Sequence, residues 1–98
     1  PTPACFHYHQ MAEKLLKALM VFRGLEYPKS HDLIALAALL KPAVPEIDEL
    51  RQALGLLDPY AVDTRYPGDA PEITLLEAQQ AAEAARRVKD FVVKKIGV

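Results

Sequence analysis

The 98-residue sequence has one cysteine, no tryptophan and only four glycines. The single cysteine, Cys5, excludes a disulfide within the chain and a zinc site built from several cysteines. The glycines form no glycine-rich loop of the kind that holds phosphates in nucleotide-binding proteins. The longest apolar run, Leu15 to Phe22, contains Lys17 and is too short to cross a bilayer. We therefore expect no cofactor, no metal site and no membrane contact.

Neither sign of charge is in excess. Twelve lysines and arginines stand against 13 aspartates and glutamates, for a formal net charge of -1. A chain with this balance has no overall positive field that would attract nucleic acid, so any RNA contact has to be local. Apolar residues make up 51% of the chain, which is enough for one core. We expect residues 1–98 to form one domain, and the lone cysteine fits the cytoplasm.

The first helix is predicted to begin at Thr2 and to end at Phe22 or Arg23, because Gly24 suits the left-handed residue that ends a helix. Apolar residues recur at helical spacing, which predicts an inward stripe of Tyr8, Ala12, Leu15, Leu19 and Phe22. Further apolar residues widen this stripe: Leu16, Met20 and Val21. We expect this helix at the centre of the fold or buried in a dimer.

Three more helices are predicted after the loop at residues 24–30. Ser30 is expected to cap the second, whose apolar positions are Leu33, Ile34, Leu36, Ala37 and Leu40. The third opens at Pro45 with inward residues Ile47, Leu50, Leu54 and Leu57. The last follows a capping box of Thr74 and Glu77 and buries Ala78, Ala81, Ala85, Val88, Val92 and Ile96. We predict an all-α, antiparallel up-and-down bundle of four main helices, with a long ordered loop at residues 58–73 before the last helix.

Four segments, taken in order, resemble the HEPN family in its small prokaryotic form. Residues 4–19 (ACFHYHQMAEKLLKAL) are similar to the family's signature helix, and Phe22-Arg23-Gly24 and Ser30-His31-Asp32-Leu33 follow. Residues 60–67 (YAVDTRYP) then resemble its Tyr-Arg-Tyr-Pro loop. HEPN domains usually carry another helix before the signature helix, and these 98 residues lack it. The helix was either trimmed from the sequence or is absent from a short form; in the second case a dimer or another protein would have to cover a stripe of the first helix.

Several HEPN proteins are metal-independent ribonucleases with an arginine followed, after four to six residues, by a histidine. Histidine can move the proton of a 2'-hydroxyl, and arginine can stabilise charge on the phosphate. Here Gly24 to Ser30 separate Arg23 from His31, so the spacing does not match. Arg23 is the only arginine that precedes a histidine, and the tight loop after it can still bring Arg23 and His31 together as a catalytic pair. The alternative interpretation is structural: Arg23 bonds carbonyls at the end of the first helix, and His31 and Asp32 satisfy amides at the start of the second.

The residues best suited to bind a nucleotide or a phosphate are Arg65, Tyr66, Tyr60, Thr64, Lys29 and His31. A planar guanidinium can hold a phosphate, and neighbouring tyrosines can stack on a base. The alternative is that Arg65 ties the long loop to the bundle through carbonyls, with Tyr66 packed beneath it. Cys5, His9 and Glu13 share one helix face, but zinc would need more ligands, so a polar seam is the plainer interpretation.

The resemblance implies a nucleotide-binding or protein-interaction module that acts as a homodimer. HEPN proteins of this small type often accompany a minimal nucleotidyltransferase in toxin-antitoxin-like systems, which implies such a partner here, with a nucleotide or RNA as ligand. One alternative is a divergent metal-independent ribonuclease toxin that uses His31 with Arg23 or Arg65 across a dimer. The other is a purely structural helical adaptor.

Overall fold

The computed structural model describes residues 2–61 and 74–97. Within these ranges the chain forms four α-helices and no strand: α1 (Thr2–Phe22), α2 (Leu33–Leu40), α3 (Arg51–Leu57) and α4 (Leu75–Ile96). A 3-10 segment, Pro45–Leu50, leads into α3, and a second one, Asp58–Tyr60, follows it. The all-α prediction with four main helices is confirmed. Most of the predicted long loop, residues 62–73, lies outside the described residues.

The ends of α1 and α4 follow their local sequence signals. Gly24 has a φ of 75°, the left-handed conformation expected just after α1. At the start of α4, the backbone N–H of Glu77 donates to the Thr74 hydroxyl at 3.1 Å. The backbone N–H of Thr74 donates to the Glu77 carboxylate at 3.3 Å, which completes the predicted capping box.

The cap of α2 differs from the prediction. Asp32, and not Ser30, caps the helix, because its Oδ1 accepts the backbone N–H groups of Ile34 and Ala35 at 3.0 and 3.1 Å. Ser30 lies two residues before this cap, and its hydroxyl accepts the backbone N–H of Asp32. A carboxylate both accepts these bonds and favours the positive end of the helix, which makes aspartate an effective cap.

Contacts between helix ends define the directions of the helices. Arg23, just after α1, donates through Nη2 to the carbonyl of Ala43, just after α2, at 3.0 Å. Lys95, near the end of α4, lies 2.6 Å from a carboxylate oxygen of Glu46, in the segment that leads into α3. Helices α1, α2 and α4 therefore end at one end of the bundle, and α3 starts there. The predicted up-and-down alternation of helix direction therefore holds from α2 to α4, but α1 and α2 run in the same direction, because residues 23–32 return along α1.

The buried side of α1 is rotated relative to the predicted stripe. Its buried residues are Cys5, His9, Ala12, Leu16, Leu19 and Met20. Tyr8 and Leu15 are half-buried, and Phe22 is 54% exposed. The second half of α1 is apolar on nearly every side, so periodicity alone could not select the face against which α4 and α2 pack. Within the single chain Phe22 and Val21 are not inside, contrary to the predicted stripe, and burial of this side in a dimer stays a prediction.

The other helices bury most of the predicted positions. In the segment 45–57 the buried set includes all four predicted residues: Ile47, Leu50, Leu54 and Leu57. In α4 the buried residues are Ala81, Ala84, Ala85, Val88 and Val92, with Ala78 and Ile96 partly buried against them. In α2, Leu33, Leu36 and Leu40 are buried, but Ile34 is exposed. None of the helices in residues 2–61 and 74–97 has the length and apolarity that a transmembrane span requires.

Candidate functional site

Glu13, in the middle of α1, joins the loop before α2 to the helix. Its side chain is only 13% exposed, and both carboxylate oxygens have partners. Lys17, one turn along α1, donates to Oε2 at 2.9 Å, and Nδ1 of His31 lies 2.9 Å from Oε1. Burial raises the pKa of Glu13, but the hydrogen bonds from Lys17 and His31 outweigh it and hold the pKa below its ordinary value. The carboxylate is therefore charged at neutral pH.

His31 presents one ring nitrogen to solvent. Because the charged Glu13 can only accept a hydrogen bond, Nδ1 of His31 must be the donor in this contact. In a neutral ring the proton then sits on Nδ1, and Nε2 remains a base on a side chain that is 72% exposed. Many proton-transfer sites contain a carboxylate that orients an imidazole in this way. The arrangement can accept a proton, and it also anchors the loop.

Arg23 and His31 have separate partners in the described residues. The guanidinium of Arg23 bonds the carbonyl of Ala43, which ties the end of α1 to the segment after α2. The structural interpretation therefore differs from the structure on two points. Arg23 bonds a carbonyl of the segment after α2 and not one at the end of α1. Asp32 satisfies the amides of α2 without His31. No hydrogen bond among residues 2–61 and 74–97 brings Arg23 to His31, so their catalytic pairing stays a prediction.

Only some of the predicted phosphate-binding residues can be placed. Thr64, Arg65 and Tyr66 lie outside the described residues. Lys29 and His31 share the exposed loop before α2, whereas the hydroxyl of Tyr60 lies 3.5 Å from a carboxylate oxygen of Glu77. The role of this set in binding stays a prediction.

The amino end of α2 is already occupied by an anion of the protein itself. Helix N-termini attract phosphates because their backbone N–H groups lack partners within the helix. Here the carboxylate of Asp32 accepts the N–H groups of Ile34 and Ala35. A phosphate near Lys29 or His31 would therefore meet a carboxylate, which argues against this helix end as its binding site.

His9 is a buried polar side chain on α1, one turn before Glu13. It is 1% exposed, and neither ring nitrogen has a hydrogen-bond partner among the described residues. Burial lowers the pKa of His9, and the carboxylates of Glu13 and Asp58 offset this only in part. The nearby backbone carbonyl of His31 also favours the charged ring, but it does not reach hydrogen-bonding geometry. His9 is therefore held neutral at a cost in stability.

The described residues carry no other obvious chemical centre. No group of three or more histidine, cysteine, aspartate or glutamate side chains in residues 2–61 and 74–97 is placed to hold a metal ion. Burial, and then the carboxylate of Glu77, raise the pKa of the Cys5 thiol. A thiol in this environment stays protonated and is a poor nucleophile.

The contact between Glu13 and His31 was missed from the sequence. A local signal was present, since Glu13 and Lys17 form an acid-to-base pair four residues apart, which marks Glu13 as a bonded carboxylate. Glu83 and Arg87 in α4 have the same spacing, but there the structure pairs Glu83 with Arg86 instead, at 3.6 Å. No local signal connects Glu13 to His31, because they are 18 positions apart and meet only where residues 23–32 return along α1.

Two apolar surfaces are not covered by the residues that the structure describes. Helix α2 (LIALAALL) contains no polar side chain, yet Ile34, Ala38 and Leu39 on it are exposed, and Leu39 is exposed by 50%. A second surface runs along the outside of α1 and includes exposed Met11 and Val21. Surface helices usually carry a polar outer face, so both surfaces suit contact with another molecule.

Comparison with known proteins identifies a family for the chain. A family model described as HEPN domain matches residues 2–96. Neither a curated protein nor a solved structure was found to match the chain. The family match extends over nearly every residue and includes α1, α2, α3 and α4. The chain therefore belongs to the HEPN domain family.

Proposed function

We propose that this HEPN chain is a protein-interaction module that forms a homodimer and works with a nucleotidyltransferase partner in a toxin-antitoxin-like system. The observation that carries the homodimer is the outer face of α2. A helix without polar side chains is stable in water only if most of its surface is covered. In α2 the inner residues Leu33, Leu36 and Leu40 are covered by the bundle, and the outer ones are not.

The rim of this face suits a second copy of the chain. Asp48 lies 3.0 Å from Lys41 and 3.7 Å from Arg51, beside the depression that also contains Ile34 and Ala38. Charges of both signs therefore border the apolar residues. In a two-fold dimer each copy offers the same patch, so the cations of one copy can face Asp48 of the other.

The substitution Leu39→Glu is expected to convert the dimer into a monomer. It places a carboxylate from each copy in an apolar interface, and an unpaired buried charge costs several kcal/mol, so the dissociation constant should rise by at least about 100-fold. Sedimentation velocity measures the change, and far-ultraviolet circular dichroism checks that the helices remain.

Val93→Glu is the matched control, because Val93 is an exposed apolar residue on α4 and not on α2. It should leave the dimer intact. A dimer that survives Leu39→Glu unchanged would show that the α2 face is not the interface.

The nucleotidyltransferase partner is proposed from family membership, since minimal nucleotidyltransferases accompany HEPN proteins of this small type. Nucleotide or RNA binding through Arg65, Tyr66, Tyr60, Thr64, Lys29 and His31 is a further part of the proposal. The exposure of Lys29 and His31 in one loop supports it. The carboxylates of Asp32 and Glu77 beside that loop and Tyr60 weaken it.

A divergent ribonuclease is the second candidate, and the contact between Glu13 and His31 favours it. With Nδ1 held by the carboxylate, Nε2 of His31 could accept a proton from a 2'-hydroxyl. The chemistry would also need a cation for the phosphate, which Arg23 or Arg65 of a second copy would supply.

The leading proposal predicts that the protein cleaves RNA no faster than its His31→Ala variant. Short labelled RNA incubated with each protein and separated on a gel measures this. His7→Ala is the control, because His7 is an exposed histidine on α1 that contacts Gln10 and not Glu13. Cleavage that persists in His7→Ala and disappears in His31→Ala would place the ribonuclease first.

A further inference from the structure

The outward side of α1 carries a row of five exposed residues at alternating spacings of four and three. We call this row the outer seam: His7, Met11, Lys14, Ala18 and Val21. Spacings of this kind average 3.5 residues and are those by which one helix packs along another. Two adjoining depressions follow the seam, one lined by His7 and Met11 and the other by Ala18 and Val21, and Lys14 lines both. The seam is therefore a shallow strip whose residue spacing suits a second helix lying along it.

The outer seam is positively charged at its centre. Lys14 is exposed and has no carboxylate within salt-bridge distance among residues 2–61 and 74–97. Glu13 is the one carboxylate of α1, and its oxygens are taken by Lys17 and His31. Beside the seam, Nζ of Lys17 lies 5.5 Å from the centre of the Tyr27 ring. The charge of Lys14 is therefore not neutralised within the described structure.

This charge distinguishes between the molecules that could cover the seam. A second copy placed along the seam by a two-fold axis would bring Lys14 against Lys14, since Lys14 is the middle residue. Like charges placed together in a partly desolvated contact oppose association. A helix with apolar residues and one carboxylate in the middle would instead pair its charge with Lys14. Ala18 leaves room for its backbone, and the unbranched Met11 can adapt to its side chains.

We propose that the outer seam binds an amphipathic helix of a partner protein, with a carboxylate of that helix opposite Lys14. The inference deepens the proposed function and rests on it, since it assigns chemistry to the surface that receives the partner. It also separates two surfaces of the molecule: the uncharged face of α2 pairs with a second copy, and the cationic seam of α1 takes the partner. Recognition of an apolar helix face in a groove is a common mode of protein association.

Two dye-labelled peptides of three heptads test the proposal. Both carry leucine at the seam positions, and they differ only in the central one, which is glutamate in the first peptide and lysine in the second. Fluorescence anisotropy is followed as the unlabelled protein is added, with the peptide dilute enough to stay monomeric. The wild-type protein should bind the glutamate peptide about tenfold more tightly, because an exposed ion pair replaces a like-charge contact.

Charge-swapped variants locate the effect. Lys14→Glu should reverse the preference, and Lys89→Glu, which makes the same change at an exposed position of α4, should leave it unchanged. No binding below millimolar protein, or a preference for the glutamate peptide that persists in Lys14→Glu, would overturn the proposal. A protein whose mass in solution rises above that of the wild type with Lys14→Met, which removes the like-charge contact of a two-fold arrangement, would place a second copy on the seam and would also overturn it.

The seam proposal and the dimer proposal can fail independently, and the experiments distinguish the two cases. If the wild-type protein is a monomer but discriminates between the peptides through Lys14, the dimer fails and the seam proposal stands. If it is a dimer that Leu39→Glu dissociates but does not discriminate between the peptides, the dimer stands and the seam proposal fails.

Discussion

Leu16→Ala is expected to lower the free energy of unfolding by about 3 kcal/mol. Leu16 is completely buried on α1, where α4 and α2 pack against the helix. Removing three carbons there loses apolar burial and leaves a cavity that the neighbouring helices can fill only in part. In a domain whose stability is about 5 to 15 kcal/mol, this is a large fraction of the total. Urea unfolding followed by circular dichroism measures the loss.

Phe22→Ala is the informative comparison, because helical periodicity predicts Phe22 to be inside and the structure places it 54% exposed. An exposed site of this kind should change the stability by less than about 0.5 kcal/mol. If Phe22→Ala were as harmful as Leu16→Ala, the buried side of α1 would be the predicted stripe and not the observed one.

His9→Leu is expected to raise the free energy of unfolding at neutral pH by about 1 kcal/mol. The ring of His9 is buried with both nitrogens unpaired among the described residues. An apolar side chain of similar size keeps the packing and removes the cost of the two unsatisfied atoms. A large loss of stability in this variant would show that the ring has a partner in solution.

The same variant should change how stability depends on pH. Burial lowers the pKa of His9 in the folded protein, so the unfolded chain, with a pKa of about 6.5, binds the proton more readily. Stability is therefore full above that pH and falls as the pH decreases toward the folded pKa. His9→Leu should abolish this part of the slope, and His7→Leu, at an exposed position of α1, should keep it.

Glu13 affects stability in a lower pH range than His9 does, so the two contributions to the pH dependence can be measured separately. Its pKa is held below the ordinary value of about 4.3 despite its burial, because Lys17 and His31 bond the carboxylate. Its contribution is therefore present above that value and is lost as the pH falls through the folded pKa. Urea unfolding measured from about pH 7.5 to about pH 5 reports on His9 with Glu13 still charged.

Local features of the sequence were sufficient for much of the fold. Apolar periodicity located the buried positions of the segment 45–57 and of α4, because polar residues clearly mark their outer faces. The capping box at Thr74 and the left-handed Gly24 marked helix ends through interactions within a few residues. Signals of this range do not depend on how the helices pack.

The remaining features depend on contacts between distant parts of the chain. Helix α1 is apolar on several sides, so its buried face is decided by which side meets α4 and α2. The parallel course of α1 and α2 follows from the return of residues 23–32, which the contact between Glu13 and His31 anchors. The candidate binding residues Thr64, Arg65 and Tyr66 are known from their sequence pattern alone.

The mass of the wild-type protein in solution tests most directly the central claim that this HEPN chain is a homodimeric interaction module. Size-exclusion chromatography with light scattering, on the chain of 10.9 kDa at several concentrations, makes the measurement. The account predicts a mass of about twice that value, which returns to the single-chain mass in Leu39→Glu. A single-chain mass at every concentration would contradict it and would leave the outer face of α2 exposed to solvent in the isolated protein.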